Sequence, residues 1–229
     1  MKDSPYHRMS PYVPIQAVAF DAGGTLIEPW PSVGHIYADV AARHGVNAPA
    51  PETLNRQFAA AWRAKQNFDY SQPAWFALVR QTFGDQAAAL PEDFFPDLYR
   101  RFTDTAVWRV HEDVWPTLEN LSRRGLKLAV ISNWDERLRP LLAALKLDSY
   151  FDTILVSCEI GFTKPSPVIF ELAVRKLGLS PAAVLHVGDS AREDVAGARA
   201  AGLRAVLLDR HGVAQAGEQI TSLRALESM

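Results

Sequence analysis

The 229-residue sequence predicts an α/β protein: a doubly wound, Rossmann-like parallel-sheet core with an inserted α-helical lobe. Three observations lead there. Five short runs are mostly apolar on both faces, longer stretches with three- and four-residue apolar spacing separate them, and one long block holds helical patterns alone. The chain opens with a strand at 15–20. The helical block follows from 29 to 112, with helices expected at 33–44, 52–67, 74–82 and 92–105. Gly45, Pro49, Pro51, Gly84 and Pro91 punctuate it, and no convincing strand interrupts it. It holds seven of the eleven Phe and four of the six Trp, which read mainly as a core of its own. An insertion is tolerated best in a loop at a sheet edge or mouth, so the core domain is expected at 1–28 and 113–229 and the lobe at 29–112, with joints at 28–32 and 108–113. The alternation then resumes, with helices at 114–124, 136–146, 167–177 and 193–201 and strands at 126–131, 153–156, 184–187 and 205–208. Gly125, Gly178 and Gly202 close three of those helices, and Ser180-Pro181 reads as an N-cap followed by a first-turn proline.

Composition excludes several classes. Lys+Arg 24 against Asp+Glu 26 gives a formal charge of −2, which offers nucleic acid no electrostatic footing. At 48% apolar and 22% charged the chain is too apolar for disorder. No run approaches the roughly 18–20 apolar residues of a membrane span, and residues 1–14 lack an apolar signal core, so the sequence reads as cytosolic. The single cysteine, Cys158, rules out an intrachain disulfide and a cysteine-based zinc cluster, and reads as a small buried residue. Nothing in the sequence sets an oligomeric state.

In a doubly wound sheet, ligands collect beyond the carboxyl ends of the strands. The first strand runs into Asp21-Ala22-Gly23-Gly24-Thr25, a carboxylate able to attack an electrophile followed by glycines that leave room for a ligand. The second ends at Ser132-Asn133, a hydroxyl and an amide able to hold an anion. After the third comes Thr163-Lys164-Pro165, where the proline is expected to start a helix and Lys164 to stand near its positive end, a point charge suited to phosphate. The fourth leads through Gly188-Asp189 to Asp194, two carboxylates whose hard oxygens favour Mg²⁺. His186 reads as a core histidine, and His35 and His44 as solvated residues of the lobe. Trp30 and Trp134 lie beside the motif loops and are candidates for substrate contact.

In that order, the four strand tips resemble the four motifs of the haloacid dehalogenase superfamily across residues 15–210, and the place of the helical insertion resembles its type 1 cap. Residues 32–38 and 186–190 are similar to the subgroup of haloacid dehalogenase-like hydrolase domain-containing proteins related to the rhythmically expressed gene product of flies. The resemblance implies a Mg²⁺-dependent phosphatase, a phosphoric monoester hydrolase acting on a small phosphorylated molecule. Asp21 would be the nucleophile that forms an aspartyl-phosphate, with Lys164 balancing its charge and that of the phosphate. Asp21, the Gly23 carbonyl and Asp189 would hold the metal, with Asp194 as a further ligand or a partner behind them. Ser132 would bind the transferred phosphoryl group, with Asn133 and Thr25 as supports of the phosphate site.

One position departs from the pattern. Phosphatases of the superfamily carry a second aspartate two residues after the nucleophile, which protonates the leaving oxygen and then activates water; here that residue is Gly23. Losing such a group typically costs a factor of about 10² to 10⁴. Slow turnover of alkyl phosphates follows, leaving groups that need no proton suffer less, and a restored aspartate at 23 is expected to raise the rate. Two alternatives stand beside a phosphatase. One is a phosphoester-binding or regulatory protein with little turnover. The other is a metal-free 2-haloacid dehalogenase, a branch that also lacks the second aspartate but would not be expected to keep Gly188-Asp189. A phosphonate-cleaving branch needs a lysine from the cap, and Lys65 is the lobe's only lysine, with nothing in its helical position to aim it at the site.

Overall fold

The computed structural model describes residues 13–213 and 218–228. Residues 1–12, which begin the expected core domain and most of the segment read as lacking a signal core, lie outside the described residues. In chain order the elements are β1 (Ala17–Phe20), β2 (Ile27–Pro29), α1 (Val33–Arg43), α2 (Pro51–Ala64), α3 (Gln72–Phe83), α4 (Phe94–Arg101), β3 (Trp108–Val110), α5 (Val114–Arg123), β4 (Lys127–Ser132), α6 (Leu138–Ala144), β5 (Thr153–Val156), α7 (Ser157–Ile160), α8 (Pro167–Leu177), β6 (Val184–Gly188), α9 (Gly197–Ala200), β7 (Arg204–Leu208) and β8 (Gln219–Ile220). Six strands form one parallel sheet in the order β5-β4-β1-β6-β7-β8. No helix among the described residues is long and apolar enough to cross a membrane.

The period-two alternation of a strand divides β1 between two cores. Val18 and Phe20 join Val130, Val187 and the apolar faces of α5 and α6, while Ala17 and Ala19 join Ala129, Ile131 and the inner face of α8. All four residues of β1 are buried, as a central strand covered on both faces requires. After β5 the chain crosses back over β1 to begin β6, so a crevice opens at the tips of β4, β1 and β6.

Between β2 and β3, helices α1 to α4 pack around a separate cluster that includes Tyr37, Phe83, Phe94 and Leu98. Tyr37 stacks on Phe83 at 6.0 Å and meets Phe58 and Phe102 edge-on. The joints are not plain loops: β2 and β3 pair antiparallel, joined by the Glu28–Arg109 ion pair. This corrects the expectation of a block without strands, because three-residue strands are too short for alternation to reveal. The sixth sheet strand, β8, escaped sequence reading for the same reason.

Other expectations change at single residues. Helix α8 spans Pro167–Leu177, the expected range, but Pro165 does not start it as read beside Lys164, because Pro167 holds Ser166 in a non-helical conformation (φ −55°, ψ 130°). The helix expected at 193–201 is a π-helical turn over Ala191–Ala196 followed by the short α9. Ser180 makes no side-chain cap, and Pro181–Ala183 is a single 3₁₀ turn. Cys158 is exposed rather than buried. His44 is partly buried, with Nε2 3.1 Å from Asp97. Gly125, Gly178 and Gly202 do take the left-handed conformation.

Where the chain returns from the lobe, Asp113 fastens three segments together. Its carboxylate accepts from Arg210 Nη1 (2.9 Å) and Nη2 (3.0 Å), Ser222 Oγ (2.8 Å) and the Leu223 N–H (2.8 Å), while Arg210 also donates to the Thr25 carbonyl (2.7 Å). Burial alone would raise this carboxyl's pKa, but the donors outweigh it and hold the group below its ordinary value. Asp113→Asn should therefore destabilise the fold by about 1–3 kcal/mol at neutral pH in urea unfolding. The contribution is fully present above the unfolded pKa of about 3.9 and disappears as pH falls through the lower folded value, so the deficit of the variant should shrink in acid. A deficit that grows on acidification would contradict this assignment.

Candidate active site

Strand register places the chemistry. Phe20 pairs with Val130 on one side and Val187 on the other, so the residues following β1, those ending β4 and those following β6 emerge at one edge. The Asp21 N–H donates to the Val187 carbonyl at 2.9 Å, which fixes the backbone from which the carboxylate projects. Asp21 Oδ1 accepts from Ser132 Oγ at 2.8 Å and from Lys164 Nζ at 2.7 Å. Its second oxygen makes no hydrogen bond among the described residues.

Lys164, only 3% exposed, also donates from Nζ to Asp194 Oδ1 at 2.5 Å. Its backbone is clamped by one amide: Asn133 Oδ1 accepts the Lys164 N–H at 2.6 Å, and Asn133 Nδ2 donates to the Lys164 carbonyl at 3.0 Å and to Glu193 Oε2 at 3.0 Å. Asp194 is held from behind by His186 Nε2 (2.9 Å) and by the Ser190 N–H (3.0 Å). His186 Nδ1 is buried without a partner, so the tautomer that costs least carries its proton on Nε2, directed at Asp194. The π-helical turn carries Asp194 back against Gly188, where a Cβ would lie 2.2 Å from the Asp194 carboxyl carbon. Gly24, at φ +74°, leaves similar room for Asp189, whose Oδ2 would be 2.5 Å from a Cβ there.

Carboxylate oxygens of Asp21, Asp189 and Asp194 lie within 4.8 Å of one another. One buried ammonium sits among them. Burial pushes the Asp21 carboxyl up, Lys164 opposes that, and Asp194 adds to it. Asp189 is raised to about 7 by desolvation and then by the charges of Asp21 and Asp194. Burial works against the charged forms of Lys164 and Asp194 as well, yet their mutual attraction raises the first and lowers the second. The excess of negative charge, all on hard oxygens, fits a divalent cation.

These groups floor a cleft of ≈ 550 Å³ roofed by the helical lobe. Asp21, Gly23, Ser132, Asn133, Lys164, Asp189 and Asp194 all line it. Thr25 does not: it is fully buried with its hydroxyl unpartnered. Trp134 lines the cleft, whereas Trp30 lies outside its walls, beneath the Arg109 guanidinium at 3.9 Å. Lys65 does reach the cleft, with Nζ 3.8 Å from the Trp62 ring centre. Burial lowers its pKa, opposed by Glu193 and assisted by Arg192.

Sequence reading missed Tyr70. This buried residue sits at φ +62°, a conformation rare for a bulky side chain, between the rings of Phe68 (5.0 Å) and Trp75 (6.2 Å). Its phenol faces Asn133, and burial followed by the Glu193 charge holds it above its ordinary pKa. No spacing signal marks such a residue, because the lobe must fold over the core before the two meet. His186 and Glu193 were visible in the sequence, but their contacts to Asp194 and Asn133 depend on the π-helical turn.

Fold and site together define a class: a doubly wound α/β protein with a carboxylate centre at its strand tips and a helical insertion after the first strand. The model of the haloacid dehalogenase-like hydrolases matches residues 15–202. Haloacid dehalogenase-like hydrolase domain-containing protein 3 of Bos taurus is 35% identical over 206 residues, covering 85% of this chain and 82% of its own. The Rhythmically expressed gene 2 protein of Drosophila melanogaster is 30% identical over 214 residues, covering 83% and 82%. Among solved structures, a HAD phosphatase from Thermococcus onnurineus superposes with a TM-score of 0.68 at 25% identity, covering 93% of this chain and 97% of that one. The chain belongs to the haloacid dehalogenase-like hydrolase family.

The close approach of Gly24 and Asp189 can be measured. Gly24→Ala should cost about 1–3 kcal/mol in urea unfolding, from backbone strain plus the collision with the carboxylate. In an Asp189→Ala background the collision is gone and the cost should fall to the strain alone. Equal costs in both backgrounds would contradict the contact.

Proposed function

We propose that this hydrolase is a Mg²⁺-dependent phosphatase that acts on a small phosphorylated molecule through phosphorylation of Asp21. One observation carries the reading: Ser132 and Lys164 both bind Oδ1 of Asp21, which leaves the other oxygen free to attack. In the first displacement that oxygen bonds to phosphorus as the ester oxygen departs; in the second, water attacks the same phosphorus and the Asp21 carboxylate leaves. Lys164 offsets the charge that both partners bring, and its bond to Asp194 keeps the ammonium from collapsing wholly onto the nucleophile. In this reading Ser132, whose hydroxyl donates to Asp21 Oδ1 in the free protein, turns that proton to a phosphoryl oxygen when the ester binds. Asn133 acts through Lys164, whose backbone it clamps, and Thr25 shapes the loop rather than touching phosphate.

Asp21, the Gly23 carbonyl and Asp189 would hold Mg²⁺, with Asp194 contributing its charge while both its oxygens serve Lys164, His186 and Ser190. When bound, the ion neutralises repulsion between an anionic nucleophile and an anionic ester. Residues 29–112 serve as the cap over the cleft, whose volume of ≈ 550 Å³ suits a small molecule. The solved relative described as a phosphatase supports the phosphoryl reading. So does the acidic cluster, which a metal-free dehalogenase would have to leave uncompensated.

The test is phosphate release from a phosphomonoester with Mg²⁺. Asp21→Asn should lower it by about 10³-fold or more, and a chelator should stop it in the parent protein. Release that survives both treatments would overturn the proposal, as would chelator-insensitive halide release from a 2-halo acid.

A further inference from the structure

Resting on the phosphatase reading, we propose that the substrates are phosphate esters of phenol-like hydroxyls on a flat aromatic body, whose oxygen leaves without taking a proton from the protein. Two independent observations meet here. The first concerns the neighbour of the nucleophile. A Cβ at residue 23 would lie 3.0 Å from Cζ3 of Trp134 and 3.7 and 3.9 Å from the two ring carbons beside it, so the space beside Asp21 that a proton-donating side chain would enter is bordered by the edge of an indole. That indole is fixed from both domains. The Trp134 backbone N–H donates to Ser157 Oγ at 3.0 Å, its backbone carbonyl accepts from the Cys158 N–H at 3.2 Å, and its ring packs 5.4 Å from that of Trp108, whose indole Nε1–H donates to the Phe102 carbonyl at 3.0 Å.

The second observation concerns the walls. Phe58, Trp62, Trp75, Phe76, Trp108 and Trp134 line the cleft. The rings of Phe58, Trp62 and Trp75 lie nearly parallel, at 5.9 and 5.7 Å between successive centres and 16° and 13° between planes. Stacked on one another, with Lys65 Nζ 3.8 Å from the Trp62 ring centre, they give the cleft a rigid wall of planar apolar groups against which an aromatic body buries more surface than a short polar one.

The two observations select one leaving group. A phenol ionises at about 10, whereas an alkanol ionises near water itself, at about 15.7, so a phenolate departs where an alkoxide needs a proton. As the Asp21–phosphorus bond forms, the phosphorus–oxygen bond to the ring breaks, the phenolate takes the electron pair, and bulk water supplies its proton. Water then attacks phosphorus and releases inorganic phosphate, giving its proton to solvent. The geometry also changes the expectation for a restored aspartate: a Cβ at position 23 touches Trp134 Cζ3 at 3.0 Å, so the ring must give by a few tenths of an ångström to admit it, and a carboxyl there is expected to serve the leaving group once that ring is removed.

The experiment measures phosphate release by the intact protein with MgCl₂ from phenyl phosphates of graded phenol acidity, and from 2-phenylethyl phosphate as an alkyl ester of similar bulk. The expected kcat/KM rises steeply as the phenol becomes more acidic and exceeds that of the alkyl ester by about 100-fold or more. An alkyl ester turned over as fast as phenyl phosphate overturns this inference and leaves the phosphatase reading intact; no release from any ester overturns both. A second arm compares Gly23→Asp, Trp134→Ala and the double variant, each checked for folding by circular dichroism. The ratio of alkyl to aryl turnover should rise about 10-fold or more in the double variant alone. The same rise in Gly23→Asp alone would show that Trp134 does not hold the space.

Discussion

The structure turns on the Lys164 ammonium, buried between the carboxylates of Asp21 and Asp194. Two buried aspartates so close to each other and to Asp189 are tolerable only with a cation fixed among them, because an unpaired buried charge is costly. Much of the surrounding architecture serves to fix it. Asn133 holds the Lys164 backbone by both its N–H and its carbonyl. His186 and the Ser190 N–H hold Asp194, and the bare Cα of Gly188 leaves room for it. Strand register then sets Asp21 at the same height, because β1 pairs with β4 and β6 in step.

A second constraint is the charge that Lys164 leaves uncompensated. Three carboxylates face one ammonium, and Asp189 is the group left without an ion-pair partner among the described residues; desolvation, with the charges of Asp21 and Asp194, displaces its pKa toward neutrality. The floor of the cleft is thus polar and overcharged, whereas the roof is a bed of rings supplied by the lobe. A ligand with an anionic end and an apolar body matches both surfaces once a divalent cation balances the floor. The missing side chain at residue 23 and the indole beside it belong together: one flank of Asp21 is hydrocarbon, with no carboxyl at residue 23.

Much of this was legible in the sequence, for a physical reason. Central parallel strands are buried on both faces and read as continuous apolar runs, so β1, β4, β5, β6 and β7 could be located, and their tips carry Asp21, Ser132, Lys164 and Asp189 within a residue or a short loop. Strands of two or three residues, such as β2, β3 and β8, carry no readable period. The π-helical turn at Ala191–Ala196 left no mark either, and with it went the contacts of His186 and Glu193. Tyr70, Lys65 and Trp134 depend on how separated segments pack: Trp134 meets Gly23 only because β1 and β4 are neighbours, and Tyr70 meets Asn133 only because the lobe folds over the core. Propensity and spacing do not carry such information.

The most direct measurement is rapid acid quenching of the protein during turnover with Mg²⁺, followed by peptide mass spectrometry. One phosphoryl group should be found on the peptide that contains Asp21 and localise to that residue, at a level that falls as substrate is exhausted. Phosphate formation with Asp21 unmodified at every quench time, or with the phosphoryl group on another side chain, would contradict a nucleophile poised by Lys164.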